Sequence, residues 1–233
     1  MDAFHIISTA PFFAKNNGAF ALEDFDLYCA VLSALTWRRD GSRIFLYTDR
    51  PAAEYIRSSG LETVWDELRD TVPDDLDGID PVMFWAAGKL LAMKQMEAPC
   101  VMIDTDFIVW NKPEFGTEII AAHREDLNPD IYPPLEYFSA RGHSIPDFSR
   151  EVLPLNTAFF YVPDESFKEF YTSQAVAFMK SADRCGEWLR YMVFAEQRMA
   201  AMCAEYTGIG VKTLLDKDML FFPQENYTHL WGA

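Results

Sequence analysis

The segment spanning residues 101–110 constrains the fold of this chain more than any other. Three apolar residues lead into Asp104-Thr105-Asp106, and four apolar residues follow. An apolar run bounded in this way predicts a buried strand, and carboxylates at the end of such a strand are costly unless another group neutralises them. Residues i and i+2 of an extended chain point to the same side. Asp104 and Asp106 are therefore predicted to converge on one cation, directly or through water.

Two interpretations of this pair follow from its chemistry. Carboxylate oxygens are hard ligands that suit Mg²⁺ or Mn²⁺, and a protein-bound Mg²⁺ commonly carries substrate phosphates. The alternative is a turn at the end of a strand with two solvated aspartates, because Asp is frequent in turns. The pattern alone favours the cation site and leaves the solvated turn open.

Composition and charge narrow the classes of partner. The chain has 233 residues, half of them hydrophobic, and carries 36 acidic against 20 basic side chains, a net charge of −16. Its length allows one large domain or two small ones, and we expect a single domain over residues 1–233. The acidic balance argues against nucleic-acid binding, which needs a basic surface, and against docking by charge on anionic lipid.

Cysteine spacing and hydropathy indicate a soluble cytoplasmic protein. The four cysteines form no CxxC pair, which favours buried free thiols in a reducing compartment; they are Cys29, Cys100, Cys185 and Cys203. The first residues carry no basic region typical of a signal peptide. No run of 18 apolar residues exists, so no transmembrane segment is predicted.

Apolar segments alternate with helical patterns in the first half of the chain. Strands are predicted at residues 5–9, 43–49, 62–65 and 101–103, and helices at residues 22–37, 51–60 and 81–96. Within the first helix one face carries large apolar residues, namely Leu22, Phe25, Cys29, Leu32 and Leu35. The alternation favours a parallel, doubly wound α/β sheet. Ligands of such sheets bind beyond the carboxyl ends of the strands, where Asp49, Asp104 and Asp106 are predicted to lie.

The rest of the chain is predicted to be less regular. Residues 66–80 form an acidic stretch that is typical of a solvated loop, and residues 128–154 form an irregular excursion over the sheet. Further strands are expected at residues 118–123 and 156–162, and amphipathic helices at residues 165–181 and 187–206.

The order of these features resembles the GT-A nucleotide-sugar transferases. The resemblance is greatest to a branch of uncharacterised bacterial glycosyltransferase-like domains, and it extends more distantly to the glycogenin and galactosyltransferase-like enzymes. It runs from about Ile6 to Gly232, and its most specific part is the helix carrying Lys89 followed by the Asp104-Thr105-Asp106 strand. The resemblance implies an α/β fold of GT-A type, with a Rossmann-like mixed sheet flanked by helices.

The resemblance also implies a metal-dependent donor site. Asp104, Asp106 and His229, the last in a C-terminal His-x-x-Gly segment, would hold Mn²⁺ or Mg²⁺ against the donor diphosphate, while Thr105 would touch the donor. A metal there stabilises the charge on the departing nucleoside diphosphate as a Lewis acid. Lys89 would neutralise Asp104 or reach the phosphates; alternatively it is a surface lysine with a buried stem. The Lys and Trp that usually follow in the family do not appear after Gly232; either the native protein continues beyond Ala233 or this branch dispenses with the lysine.

Other matches concern the sugar side of the site. Asn156 resembles the Asn that lines the sugar pocket, where its amide can both donate and accept hydrogen bonds. Glu196-Gln197 resembles an Asp-Gln pair near the donor sugar, and together with Asn156 it forms the predicted catalytic set. The alternatives are an Asn that satisfies backbone groups at the start of a strand and a solvated Glu-Gln pair on a helix.

The nucleotide base and the acceptor are located more loosely. Backbone groups near Thr9 and Ala10, together with Asp49, would contact the base. The acceptor loop would lie within residues 126–148, where aromatic residues either stack on a sugar or belong to the core; they are Tyr132, Tyr137 and Phe138.

The sequence therefore predicts a DxD-dependent, hexosyltransferase-like glycosyltransferase. It would move a sugar from a nucleotide-diphosphate donor, preferentially a UDP-sugar, to a glycan, lipid-linked or protein acceptor. A catalytically inactive nucleotide-sugar or glycan-binding domain and a nucleotidyltransferase remain alternatives. A haloacid-dehalogenase-type phosphatase is disfavoured, because the motif comes after several α/β units. Inversion or retention at the anomeric carbon is left open, since many carboxylates compete for the role of general base.

Overall fold

The computed structural model describes residues 1–139 and 141–230. In this part of the chain, strands form one large and one small sheet. The large sheet contains β1 Asp2–Ile7, β2 Ile44–Thr48, β3 Glu67–Arg69, β4 Cys100–Ile103, β6 Ile119–Arg124, β7 Leu155–Val162 and β8 Val211–Thr213. The small sheet pairs β5 Phe107–Val109 with β9 Tyr227–His229. The strand order of the large sheet is β3-β2-β1-β4-β7-β6-β8.

Helices connect these strands and cover both faces of the large sheet. They are α1 Ala10–Phe13, α2 Asp24–Arg38, α3 Arg50–Ser58, α4 Ala87–Met93, α5 Leu135–Ser139, α6 Glu165–Ser181, α7 Trp188–Val193 and α8 Met199–Thr207. A π-helical turn, Phe194–Arg198, joins α7 to α8. Among the described residues no helix has both the length and the apolar character needed to cross a membrane.

The sheet changes direction between its two central strands. β1 pairs in parallel with β2 and β4, whereas β7 runs antiparallel to β4 and β6. The carboxyl ends of β1, β2 and β4 consequently lie at the same edge as the amino end of β7. This arrangement brings Asp104 beside the start of β7, where its backbone N–H donates to the carbonyl of Ala158 at 2.7 Å.

The central strands are buried on both faces, as their uninterrupted apolar sequences predict. Met102 packs into the apolar cluster that also contains residues of α4, α6 and α8. Val101 and Ile103 point the other way, into the cluster that contains α2. The mixed α/β sheet flanked by helices confirms the predicted fold class.

The buried face of α2 is not the one that large apolar residues predict. Phe25, Leu32 and Leu35 are at least 42% exposed. The helix instead buries mainly small side chains and one tryptophan, namely Cys29, Ala30, Ser33, Ala34, Thr36 and Trp37. Small residues let α2 pack close to β5, so the spacing of bulky residues in this helix is a poor guide to its core face.

The segment that follows α3 also departs from the prediction. Residues 62–65 do not form a strand; Glu62–Val64 is a 3₁₀ turn, and the edge strand is β3, three to five residues later. The acidic loop predicted at residues 66–80 therefore includes a strand. It also anchors itself in the core through Val72, Leu76 and Ile79, which are at most 3% exposed.

Most other elements lie where the sequence places them. The helix at residues 165–181, the strands around residues 44–48, 119–124 and 155–162, and the helix opened by Pro51 are confirmed. The helix predicted at residues 81–96 is shorter, because turns occupy residues 81–86 before α4 begins. The described cysteines are free thiols; three are buried and Cys185 is partly exposed.

Candidate functional site

A cavity of about 380 Å³ opens beyond the carboxyl ends of β1 and β4. Its polar lining consists of Ser8, Lys89, Thr105, Glu196 and Gln197, while Phe20 and Trp85 are its aromatic residues. This volume lies within the range of small-molecule sites, which combine apolar walls with a few polar groups. A larger cavity of about 470 Å³ lies elsewhere, near Gly116 and Phe167. Its one charged lining residue, Asp164, serves as the N-cap of α6, so we place the candidate site in the smaller cavity.

Close packing of α4 on β1 delivers Lys89 to this cavity. A Cβ atom on Gly88 would lie 3.3 Å from Ile6 Cγ1 and from Ser8 Cβ, so the helix approaches the strand where there is no side chain. Lys89 follows directly, and its Nζ lies 2.8 Å from either carboxylate oxygen of Asp104. The ammonium donates its hydrogen bond to Oδ2. The predicted neutralisation of Asp104 by Lys89 is therefore present in the structure.

Lys89 also joins Glu196, which lies 107 positions later in the chain. Nζ is 2.9 Å from Glu196 Oε1, and the hydroxyl of Thr157 donates to the same oxygen at 2.7 Å. The side chain of Glu196 is 6% exposed, which excludes the solvated alternative for this residue in the structure. The π-helical turn leaves its carbonyl to accept from Tyr171 OH at 2.8 Å, and such turns are frequent at functional sites.

The cluster around Lys89 contains more negative than positive charge. Burial acts to lower the pKa of Lys89, but the charges of Asp104 and Glu196 together outweigh burial and raise it. Burial raises the pKa of Asp104 to about 6, against the opposing charge of Lys89. Asp104 and Glu196 thus share one ammonium, and the charge of Asp106 acts on Asp104 as well, so the cluster carries an excess of negative charge that a cation or further hydrogen-bond donors can compensate.

The small sheet brings His229 to Asp106. β9 pairs with β5 so that His229 lies opposite Phe107, and Leu230 N donates to the Asp106 carbonyl at 3.1 Å. His229 Nε2 is 3.8 Å from Asp106 Oδ2. Burial lowers the pKa of His229 to about 4, although Asp106 opposes this shift. The imidazole is therefore neutral near pH 7, the form that ligates metals.

The pair of Asp106 and His229 fits a Mg²⁺ or Mn²⁺ ion in part. A carboxylate and a neutral imidazole lie 3.8 Å apart, and these donor types could together hold such an ion. Asp104 does not join them: among residues 1–139 and 141–230 no three His, Cys, Asp or Glu side chains are gathered to hold a metal. Gly232 of the His-x-x-Gly segment lies outside the described residues.

The predicted sugar-side residues lie in one neighbourhood. Asn156 is buried, with Oδ1 accepting from Ala158 N at 3.1 Å and Nδ2 facing Glu125 Oε1 at 3.3 Å. Gln197 lines the cavity and accepts a hydrogen bond from the hydroxyl of Tyr132. The Asn156 oxygen thus satisfies a backbone N–H of its own strand, as in the alternative of an Asn that satisfies backbone groups at the start of a strand. The amide nitrogen faces the Glu125 carboxylate.

The residues predicted to contact the base have structural partners. Asp49 is fully buried, accepts from Thr9 N and from Ser8 Oγ at 2.9 Å, and caps α3 through Ala52 N at 3.1 Å. Thr9 and Ala10 are also buried. The residues of this segment that line the cavity come just before Thr9 in the sequence; they are Ile6, Ile7 and Ser8. Base contact by Asp49 would require these bonds to break, so we leave Asp49, Thr9 and Ala10 out of the proposed site.

The structure adds functional candidates that the sequence analysis missed. Glu125 and His123 lie at the end of β6, and Thr157 lies on β7 beside Glu196. The available signal was a histidine within an otherwise apolar strand, Ile119–Arg124, followed at once by an acid. Of the aromatics in the irregular excursion, Phe138 belongs to the core at 0% exposure, and Tyr132 is 6% exposed.

A family model matches residues 4–229 and is described as a family of unknown function, DUF6734. The chain belongs to this family. The match spans both sheets and every residue of the cavity, so the site described above lies within the family's common region. No curated protein matches the chain.

Two solved structures are similar in fold. The inositol-1-phosphate CTP transferase from T. maritima is 13% identical, with a TM-score of 0.50 over 98% of this chain and 88% of that one. A structure described as the PaToxG glycosyltransferase is 10% identical, with a TM-score of 0.50 over 94% of this chain and 70% of that one. At these identities the likeness shows the fold alone, a mixed α/β sheet flanked by helices.

Proposed function

We propose that this member of the DUF6734 family transfers a sugar from a nucleoside-diphosphate donor, with Mg²⁺ or Mn²⁺ as cofactor. One observation carries the proposal. At the carboxyl end of β4, Lys89 bridges Asp104 and Glu196 in the wall of a cavity, and Asp106, which follows the lining residue Thr105, lies beside His229. The site thus offers one cation for phosphate oxygens and a carboxylate–imidazole pair for a divalent ion.

Two protein side chains, Asp106 and His229, are enough to hold an ion that also binds the phosphates of the substrate. Mg²⁺ is usually bound through one or two carboxylates together with substrate phosphates, so a group of three preformed ligands is not required. In this proposal Asp106 and His229 hold the ion, and Thr105 lies between the two aspartates on the cavity wall. When bound, the ion supplies a Lewis acid for the charge of the departing diphosphate.

Lys89 and Gln197 then orient the donor. Lys89 donates to a diphosphate oxygen while Asp104 keeps the ammonium in place, and Gln197, fixed by Tyr132, presents its amide to sugar hydroxyls. The apolar lining by Ile6, Phe20 and Trp85 excludes water from the donor. The choice of a uridine base rests on the resemblance to the GT-A transferases alone.

A nucleotidyltransferase is the second candidate, because one of the two similar folds is that of a CTP transferase. Such an enzyme needs several cationic groups for a triphosphate. Among the described residues that line the cavity, Lys89 is the one Lys, Arg or His, and two carboxylates already share it. This charge balance favours a diphosphate donor over a triphosphate.

Calorimetric titration of UDP, with and without Mn²⁺, tests the proposal directly. We expect binding that depends on Mn²⁺ in the wild-type protein and is weakened at least tenfold in Asp106→Asn, whereas Asp183→Asn, an exposed aspartate in the loop after α6, leaves it unchanged. CTP and the other nucleoside diphosphates are titrated in parallel. Silence of all diphosphates would refute the transferase proposal, and preference for CTP would favour the nucleotidyltransferase.

A further inference from the structure

A second polar cluster adjoins the donor cavity on the side of β6 and β7. It comprises His123, Glu125, Tyr132, Asn156 and Gln197, which come from two strands, the irregular excursion and the π-helical turn. No role in donor binding accounts for Glu125, the acid at its centre. Its backbone N–H donates to the carbonyl of Pro154 at 2.9 Å, so the residue continues the pairing of β6 with the chain that enters β7.

The side chain of Glu125 is held by one oxygen only. His123 Nε2 lies 2.9 Å from Oε1, and Asn156 Nδ2 donates to the same Oε1 at 3.3 Å. Every side-chain hydrogen bond that the described residues give Glu125 ends on Oε1. The side chain is 24% exposed, so Oε2 is the oxygen available to a ligand.

Glu125 lies near both parts of the donor site. Burial raises the pKa of Tyr132, and the negative charges of Glu125 and Glu196 raise it further. Because the Tyr132 hydroxyl donates to Gln197 on the cavity wall, Glu125 is within electrostatic range of that wall. Its charge also acts on His229, so Glu125 is within electrostatic range of that imidazole as well.

The other carboxylates of the site are committed elsewhere. Glu196 is 6% exposed and receives both Lys89 and Thr157 on Oε1. Asp104 faces the ammonium of Lys89, and Asp106 lies beside His229. Two of these carboxylates therefore contact the ammonium of Lys89, and the third lies beside the imidazole proposed as a metal ligand. Glu125 differs from them in its contacts, because its side-chain hydrogen bonds come from His123 and Asn156 and both end on Oε1.

We propose that Glu125 is the general base that deprotonates the acceptor hydroxyl, and that transfer therefore inverts the anomeric carbon. This inference rests on the proposed sugar transfer. The hydroxyl oxygen forms a bond to the anomeric carbon while Glu125 Oε2 takes its proton. The bond from that carbon to the diphosphate oxygen breaks, and its electron pair leaves with the nucleoside diphosphate.

Two features of the cluster suit this role. The hydrogen bond from His123 lowers the pKa of Glu125, so the residue is an ionised acceptor at neutral pH. The two donors on Oε1 also fix the direction of the carboxylate, and a base must be held within hydrogen-bond reach of the proton that it removes. Tyr132 and Gln197 link this carboxylate to the sugar side of the cavity.

The test uses water as the acceptor, so that no natural acceptor has to be known. Release of free sugar from UDP-glucose, UDP-galactose and their N-acetyl derivatives is measured with Mn²⁺ for the wild type, Glu125→Gln and Glu125→Asp. We expect a roughly 100-fold or greater loss of rate in Glu125→Gln, as for removal of a general base, with UDP affinity changed less than threefold. Glu118→Gln is the matched control, because Glu118 precedes the other end of β6 and pairs with surface Lys212.

Further readouts separate a base from a residue that only holds the fold. Formate added to Glu125→Ala should restore part of the hydrolysis rate, and proton NMR of the first product should show the β-anomer from an α-linked donor. Retention of the α-anomer, or wild-type rates in Glu125→Gln, would overturn the inference. It would also be overturned by a wild-type protein that binds UDP but hydrolyses no UDP-sugar, although the nucleotide site would stand. Failure of the wild type to bind UDP would instead contradict the proposed function.

Discussion

Lys89 Nζ lies 2.9 Å from Glu196 Oε1, so the helix before the DxD strand is joined to the π-helical turn that lines the same cavity. The same ammonium contacts Asp104. This buried ion triad carries charge that a protein interior tolerates only when it is paired. It fixes the distance between the helix and the turn.

Replacing Lys89 by Met should therefore destabilise the protein strongly. The substitution leaves Asp104 and Glu196 facing each other without a cation, and loss of one partner of a buried ion pair costs about 3 kcal/mol or more. The free energy of unfolding from urea titration measures the loss. Lys94→Met, an exposed position at the end of the same helix, is expected to change it by less than about 0.5 kcal/mol. Equal effects of the two substitutions would contradict the triad's structural role.

Much of the site follows from local sequence, and the rest depends on contacts between distant segments. The Asp104-Thr105-Asp106 turn is predictable because β4 is apolar throughout and ends abruptly in acids. The contact between Lys89 and Glu196 is not predictable in this way, because the two residues are 107 positions apart. They come together through the packing of α4 and the π-helical turn around the sheet. Glu125 was missed for a related reason: next to an apolar strand, one acid resembles a turn residue.

The fold was predictable to a similar degree. Strands such as β7 are continuous apolar runs, which leave little choice of structure. The core face of α2 was predicted wrongly, because its large side chains point to solvent while Cys29, Ala30 and Ser33 pack inward. Periodicity detects large apolar side chains, whereas the contact between this helix and the sheet requires small ones that allow close approach. β3 has three residues with two charges, and an edge strand of that composition has no apolar pattern to detect.

His5 should make stability depend on pH. It is fully buried and accepts from Trp65 Nε1 on Nδ1 at 3.1 Å, while Nε2 faces Ser33 Oγ at 3.1 Å. Burial lowers its pKa from 6.5 to about 3. The neutral ring thus contributes stability that is present above pH 6.5 and is lost as pH falls towards 3, because the unfolded chain binds the proton first.

The measurement is the free energy of unfolding between pH 6.5 and pH 5. His5 alone should account for a loss of about 2 kcal/mol over this range, from a slope of about 1.4 kcal/mol per pH unit. His5→Gln should show a smaller slope than the wild type, whatever its absolute stability. Ser33 Oγ in turn donates to the Phe107 carbonyl at 2.7 Å. The variant therefore also tests whether the hydrogen bonds from His5 through Ser33 stabilise the position of β5. Identical slopes in the two proteins would refute the assignment.

His229→Gln should weaken metal-dependent nucleotide binding without a large cost in stability. The residue lies in the short strand β9, where its imidazole faces Asp106 at 3.8 Å. If the two side chains hold one ion, loss of the imidazole should reduce the affinity for UDP in Mn²⁺ at least tenfold and leave the weak binding in EDTA unchanged. Calorimetry under both conditions gives the comparison. His143→Gln, in the excursion far along the chain from both strands, serves as the control, and a loss that appears equally in EDTA would argue against a metal ligand.

Arg198 should control the irregular excursion that carries Tyr132. Its guanidinium is buried, donates to the carbonyl of Pro133 and, at 3.2 Å, to that of Arg150, so one side chain ties both ends of the excursion to the helix beyond Gln197. Burial lowers its pKa, because removal from water disfavours the charged form. In Arg198→Met both carbonyls lose this donor, and the buried Pro133 acceptor costs about 1–3 kcal/mol when it has no partner. We expect faster tryptic cleavage at Arg141 and Arg150 under native conditions, together with weaker binding of UDP-sugars than of UDP, because Gln197 depends on Tyr132.

The control is Arg184→Met, at an exposed arginine, which should leave the cleavage rate unchanged. If Arg198→Met were cleaved as slowly as the wild type, the excursion would be anchored by its own packing.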